Sequence, residues 1–384
     1  MTPKANKHVG LRGPSSLIGW IVLPLLLAVF ALQSCRRDVE DPIRPPGAPF
    51  SATPYNLVIP PFFPPMDIPA NNPLTVEGVE LGRHLFWEKK LSGNNTMSCG
   101  TCHMPEHGFS DPSQFSVGIH GDIGTRQTMS LVNLGWGRRF FWDGRAMTLE
   151  DLVIEPVQNP IEMAEDWDYA LQELREDPVY PSMFRAAYGT EAINQMRVTM
   201  AIASFLRTMI SANSNFDRQR LGQYAFTPLE EFGFNLFIKE GGDPESVPGG
   251  QFGADCFHCH GFGDMQFTDN LFHNNGLDTT FENDPGLMGV TGNPLDAGKF
   301  RTPSLRNIEI TFPYMHDGRF TTLGQVIAHY NTGGVPSETI DPFMKFSSGG
   351  LQLEEDAQLA LAAFLKCLTD VSFLENPAFS NPHE

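Results

Sequence analysis

Five-residue runs in which two cysteines flank two other residues and a histidine follows at once occur twice, as Cys99-Gly100-Thr101-Cys102-His103 and as Cys256-Phe257-His258-Cys259-His260. In this spacing two thiols can form thioethers to the vinyl groups of one porphyrin, and the adjacent histidine then lies under the iron as its proximal ligand. Two copies imply two covalent haem c groups and two irons. Local disulfides or a zinc site are the competing uses. A zinc ribbon separates its paired cysteines by about 15–20 residues, whereas these stand on opposite sides of a long helical stretch. Of the six cysteines, four go to haem, which leaves Cys35 and Cys367. Cys367 lies in a segment with helical apolar spacing and reads as a core thiol.

The segments that must position these groups are mostly helical. Leu149–Ile154, Trp167–Arg175, Ala192–Met209, Pro228–Ile238, Leu323–Tyr330 and Glu354–Thr369 place apolar residues near a 3.6-residue period, and alternating runs are few and short. The expected fold is all-α and loop-rich, with two cytochrome c-like domains that each carry one covalently bound haem. Lys4, Lys7 and Arg12 precede an apolar run from Leu17 to Leu32 that ends at Ser34-Cys35, so residues 1–35 read as a lipoprotein signal segment with Cys35 as the lipidated residue. The folded part is therefore expected in the periplasm, tethered to a membrane. Residues 36–73, with Pro45-Pro46, Pro60-Pro61 and Pro64-Pro65, read as a semi-rigid linker. Residues 74–215 form the first haem domain and residues 216–384 the second, the polar stretch from Ser211 to Gln223 marking the junction. A net charge of −19 argues against nucleic acid as a partner and favours a basic patch on any redox partner.

An ordered set of short segments then resembles the bacterial di-haem cytochrome c peroxidase and MauG family. They are Leu81-Gly82-Arg83-His84-Leu85-Phe86, Leu91-Ser92, Phe141-Trp142-Asp143-Gly144-Arg145, Pro160-Ile161-Glu162-Met163, Phe300-Arg301-Thr302-Pro303-Ser304-Leu305-Arg306-Asn307 and Pro313-Tyr314-Met315-His316-Asp317-Gly318. The resemblance runs from about Leu74 to Thr369. It implies an oxidoreductase in which the His103 haem is peroxidatic and the His260 haem exchanges electrons. Glu162 would carry the proton between the oxygens of hydrogen peroxide, and Trp142 would bridge the haems. Leu152 stands where many members have a glutamine. His120 falls near the place of a loop histidine that blocks the peroxidatic iron at rest; a surface loop histidine is the alternative.

The far ligand of the second haem is a methionine in the peroxidases proper, and its place here is Tyr330, as in MauG. Met315 and His329 are competitors. A phenolate would lower the potential of that haem and stabilise its oxidised states. The family's calcium positions correspond to Gln127, Thr311 and Pro313. The implied activity is that of a cytochrome-c peroxidase, which reduces hydrogen peroxide to water with electrons from a small c-type cytochrome or cupredoxin. A MauG-like oxidase acting on tyrosine or tryptophan of a partner protein and a non-catalytic electron carrier are the alternatives. A homodimer remains open.

Overall fold

The computed structural model describes residues 50–242, 252–345 and 349–384, so the proposed signal segment, Cys35 and the first part of the linker lie outside the described residues. Helices dominate. The longer ones are Val76–Trp87, Leu149–Gln158, Trp167–Glu176, Tyr180–Tyr188, Gln195–Thr208, Pro228–Phe237, Leu323–Thr332 and Glu355–Lys366. Local chemistry starts most of them. Side-chain oxygens of Thr75, Thr148, Asn194, Thr227 and Thr322 accept from backbone N–H groups of the first turn that have no helical partner. The all-α expectation needs one amendment. Phe272–His273 and Phe300–Arg301 pair antiparallel, with Phe272 opposite Arg301 and His273 opposite Phe300. Strands of two residues are too short for alternating polarity to reveal them.

Two apolar cores lie within residues 50–384. The first gathers side chains from Leu81 to Met209 together with Phe373 and Phe379 from the C-terminal end. The second runs from Phe216 to Leu368 and takes in Phe63. Each contains a helix pair packed through a glycine. A Cβ on Gly82 would come within 1.9 Å of Ala201 O, and one on Gly233 within 1.9 Å of Ala360 O, so any larger residue would push the helices apart. The phenylalanine four residues after each alanine, Phe205 or Phe364, lies 2.9 Å from the same imagined atom. The close approach and the residue types that make it are thus duplicated.

Residues 50–73 are the described part of the proline-rich linker. They form no helix or strand of their own, as their prolines dictate, yet they lie against the body. Phe63 is buried, Trp136 Nε1 donates to Pro64 O at 2.9 Å, and Asn72 Nδ2 donates to Glu150 Oε1 at 2.7 Å. Composition does not reveal these contacts, because the apolar side chains among the prolines need a partner surface, which only the folded chain supplies.

Candidate functional site

Both cysteine-histidine runs adopt a single turn. Cys99–Cys102 is a short α-helix closed by a capping box between Ser98 and Thr101, and Cys256–His258 is one 3₁₀ turn. All four thiols are free, which disfavours local disulfides. Burial pushes Cys99 and Cys256 up to about 12 and Cys102 to about 11, so these side chains remain neutral thiols. His103 Nδ1 lies 2.9 Å from Phe109 O and His260 Nδ1 lies 3.0 Å from Phe267 O. Donation of Nδ1–H to a carbonyl fixes the tautomer and leaves Nε2 with a free lone pair, as iron ligation requires. Desolvation lowers the pKa of both imidazoles and favours the neutral, ligating form. The residues thus fit two covalent haems: Cys99, Cys102 and His103 would hold one, and Cys256, Cys259 and His260 the other.

The duplication extends into the surroundings. Ser110 Oγ donates to Thr128 O at 2.6 Å, and Thr268 Oγ1 to Thr302 O at 2.7 Å. Asn133 Oδ1 accepts from Ser211 N, and Asn307 Oδ1 from Asp370 N. Two bonds cross reciprocally between the halves: Gln127 N donates to His316 O at 2.8 Å, and Arg301 N donates to Trp142 O at 2.8 Å. By this correspondence Gln127 matches Arg301 and Trp142 matches His316. The following helices begin after Thr148 and Thr322, and the seventh residue beyond Leu149 is Pro156, beyond Leu323 it is Tyr330. Where the second half has a phenol, the first has a ring that cannot ligate metal.

Tyr330 lines one cavity together with Cys256, Cys259, His260 and Met315. Burial pushes its phenol up to about 12, although a hydrogen bond from Asn275 works the other way. Asn275 Nδ2 lies 3.2 Å from Tyr330 Oη and 3.5 Å from Met315 Sδ, so both candidate ligands share a donor. His329 Nε2 is 3.0 Å from Asn275 O, which engages that nitrogen.

Glu162 falls on the side of the first haem motif, since its charge raises the pKa of Cys102. Burial lifts the Glu162 carboxyl above its ordinary range, while a bond from Asn159 Nδ2 to Oε1 at 2.7 Å and the charge of Arg145 oppose that rise. The loop bearing His120 is fastened to the same segment, with Ile119 N donating to Glu162 O at 2.9 Å. Gly118 permits the approach, for a Cβ there would lie 2.2 Å from Ile161 O. His120 itself is exposed at the loop tip. Leu152 packs against the first core.

Trp142 is buried, and its Nε1 donates to Gln127 O at 2.8 Å. Its backbone is held by Arg301, so it is fixed from both halves. Arg126 adds a clamp, bonding Asp143 at 2.6 Å and Asp284 at 2.7 and 2.8 Å.

The calcium reading finds no support. Gln127, Thr311 and Pro313 line one cavity, and the Gln127 amide nitrogen, which is not a calcium-ligating atom, donates to Ser110 Oγ at 2.8 Å. Among the described residues the acid, histidine and cysteine groupings close enough for a metal lie elsewhere: Cys259 with Asp269 and His273, and Glu240 with Asp255 and His258. Sequence reasoning found neither, because their members are scattered along loops with no motif spacing; His273 is also 2.6 Å from Asp341, a partner distant in the chain. Burial alone would lower the His273 pKa, yet Asp269 and Asp341 push it up to about 12.

Comparison with known proteins fits this arrangement of a duplicated helical scaffold around two haem motifs. The family model described as di-haem cytochrome c peroxidase matches residues 76–225. The methylamine utilization protein MauG of Methylorubrum extorquens is 36% identical over 302 residues, covering 78% of this chain and 80% of that protein. Cytochrome-c peroxidase IdrP1 of Denitromonas iodatirespirans is 32% identical over 342 residues, covering 80% and 85%. The crystal structure of a MauG-like protein associated with microbial copper homeostasis superposes with a TM-score of 0.77 at 34% identity, covering 86% of this chain and 100% of that one. The chain belongs to the di-haem cytochrome c peroxidase and MauG family. Two c-type haems and an oxidoreductase activity follow from that membership.

Proposed function

We propose that the chain is a di-haem cytochrome c peroxidase that reduces hydrogen peroxide to two waters, taking two electrons from a small c-type cytochrome or cupredoxin and two protons from solvent. The observation that carries this reading is the inequality of the two matching helices, Leu149–Gln158 and Leu323–Thr332. Pro156 gives the first half no ligand where Tyr330 stands in the second, and Glu162, a carboxyl with a raised pKa, lies close to the first motif. The bound haems would supply the iron that meets peroxide and the store that holds an electron. Glu162 in its ionised form accepts the proton of the inner peroxide oxygen and returns it to the outer one. Asn159 holds Oε1 and leaves Oε2 for that transfer. Trp142, fixed from both halves, provides an aromatic step between them. The net charge of −19 favours a donor with a basic docking face. Under this reading residues 1–35 export the protein to the periplasm and Cys35 anchors it.

The test is Glu162→Gln, which keeps the size and removes the base. Peroxide turnover with a reduced small cytochrome is expected to fall about 10²- to 10⁴-fold, the usual worth of a positioned acid-base group, while both haem spectra stay intact. An unchanged rate would remove Glu162 from the proposal. A MauG-like oxidase of partner tyrosine or tryptophan is the second reading, favoured by Tyr330 beside His260. It predicts little turnover with a small reductant and peroxide-driven oxidation of a protein partner instead.

A further inference from the structure

We propose that Arg301 is a carboxylate-binding residue within the cavity of the second haem, and that its ligand is a propionate of the haem attached beside His260. This inference rests on the two-haem family assignment and not on the choice between peroxidase and oxidase.

Arg301 is 7% exposed and lines the same cavity as Cys256, Cys259 and His260. Its Nη2 donates to Asn270 Oδ1 at 3.0 Å. Its Nε is fully buried and has no hydrogen-bond partner. Asp269 is the one acid whose charge bears on it, and that carboxylate is already bonded to His273 at 2.7 Å. Burial with so little compensation draws the guanidinium down to about 10. A guanidinium stays charged in proteins, and an unpaired buried charge is among the least favourable arrangements a fold can hold. The cavity therefore calls for an anion with two acceptor oxygens, which suits the planar donor fork. Haem carries two such carboxylates.

The duplication sharpens the argument. Gln127 is the counterpart of Arg301, makes the reciprocal backbone bond, and is neutral with its amide nitrogen bonded to Ser110. Charge has been placed at only one of two matching positions. Tyr330 is a poorer candidate for the partner, since Asn275 already donates to its oxygen. Because Arg301 N also holds Trp142 O, the propionate would be anchored by the residue that fixes the bridging indole.

The test uses the mature di-haem protein with Arg301→Gln and Arg301→Lys, read by redox titration at pH 8 and by the propionate-bending bands in resonance Raman spectra. In Arg301→Gln, loss of the cation is expected to lower the reduced-to-oxidised ratio of the His260 haem at least tenfold at fixed potential, a midpoint change of ~59 mV for one electron. The His103 haem should move less, and the propionate band should shift. Arg301→Lys should keep the reduced-to-oxidised ratio within about threefold yet still shift the band, because ammonium does not reproduce the fork. An unchanged midpoint and band in Arg301→Gln would overturn the proposal, as would a shift confined to the His103 haem. Disappearance of the shift in a Tyr330→Phe background would also overturn it, by making the phenolate the partner. Should Arg301→Gln fail to mature, an unchanged band in Arg301→Lys decides against it alone.

Discussion

Replacing Asp217 by alanine should damage both the second core and the support of the second haem. Arg306 and Asp217 form a buried pair, their side chains 0% and 4% exposed, with Nη1 to Oδ2 at 2.9 Å and Nη2 to Oδ1 at 2.8 Å. Arg306 Nε donates to Met265 O at 2.6 Å. Two residues further along, Phe267 O receives the His260 ring at 3.0 Å. Breaking a buried pair by removing one partner costs about 3–5 kcal/mol, and Asp217 also closes a capping box with Ser214, worth about 1 kcal/mol. A loss near 5 kcal/mol compares with a typical total stability of about 5–15 kcal/mol. Urea unfolding followed by circular dichroism should therefore shift to much lower denaturant, with an early change in the absorption of the His260 haem. The double variant Asp217→Leu with Arg306→Met should recover most of the loss, because the orphaned charge is gone. Burial alone would raise the Asp217 pKa, but bonds and charge from Arg306 hold it below the usual carboxylate range. Its contribution is therefore complete above the unfolded value of about 3.9 and is lost as pH falls through the lower folded value. A loss under about 1 kcal/mol in Asp217→Ala, with the haem spectrum unaltered, would refute the reasoning.

Three further outcomes follow from the site. Asn159→Ala removes the bond that favours ionised Glu162, so the acid limb of kcat/KM for peroxide should move to higher pH, and an unmoved limb would separate Asn159 from the proton step. Trp142→Phe leaves Gln127 O without its buried donor, a cost of about 1–3 kcal/mol, and should slow electron transfer between the haems in stopped-flow traces; equal rates would make the indole a packing residue. Tyr330→Met exchanges a hard phenol for a soft neutral thioether, which should raise the reduced-to-oxidised ratio of the second haem at least tenfold, ~59 mV; a potential that stays or falls would count against phenolate ligation.

Much of the haem chemistry was legible because it is local. Attachment needs its cysteines and histidine within five residues, and a short string shows that whatever the fold. Most helices were legible for a similar reason, with Leu149–Gln158, Pro228–Phe237 and Leu323–Thr332 beginning at the expected residue. Tyr180–Tyr188 escaped notice because Pro181 reads as a breaker, although a first-turn position tolerates it. The duplication left a visible trace in Glu80-Leu81-Gly82-Arg83-His84-Leu85-Phe86 and Glu231-Phe232-Gly233-Phe234-Asn235-Leu236-Phe237, where Glu, Gly, Leu and Phe recur at the same spacing. Its meaning lies in backbone approaches of glycine to a distant alanine, and no window along the chain contains both. The burial of Phe63, the pairing of His273 with Asp341 and the orphaned Arg301 Nε are likewise properties of packing.

The duplicated scaffold makes the departures from symmetry the informative positions. Two equal halves would supply two equal haems, able to pass electrons but giving neither a reason to meet peroxide. Three exchanges break the equality: Pro156 for Tyr330, Gln127 for Arg301 and Trp142 for His316. The first leaves one of the matching helices without a ligand, and Glu162 stands near that half. The second would put a cation beside the other haem, where it would favour the reduced iron, while a phenolate from Tyr330 would favour the oxidised iron. These opposed influences imply that the potential of the second haem is set by their difference. Tyr330→Met and Arg301→Gln should therefore move it in opposite directions, and the double variant should return it toward the starting value if the two act independently.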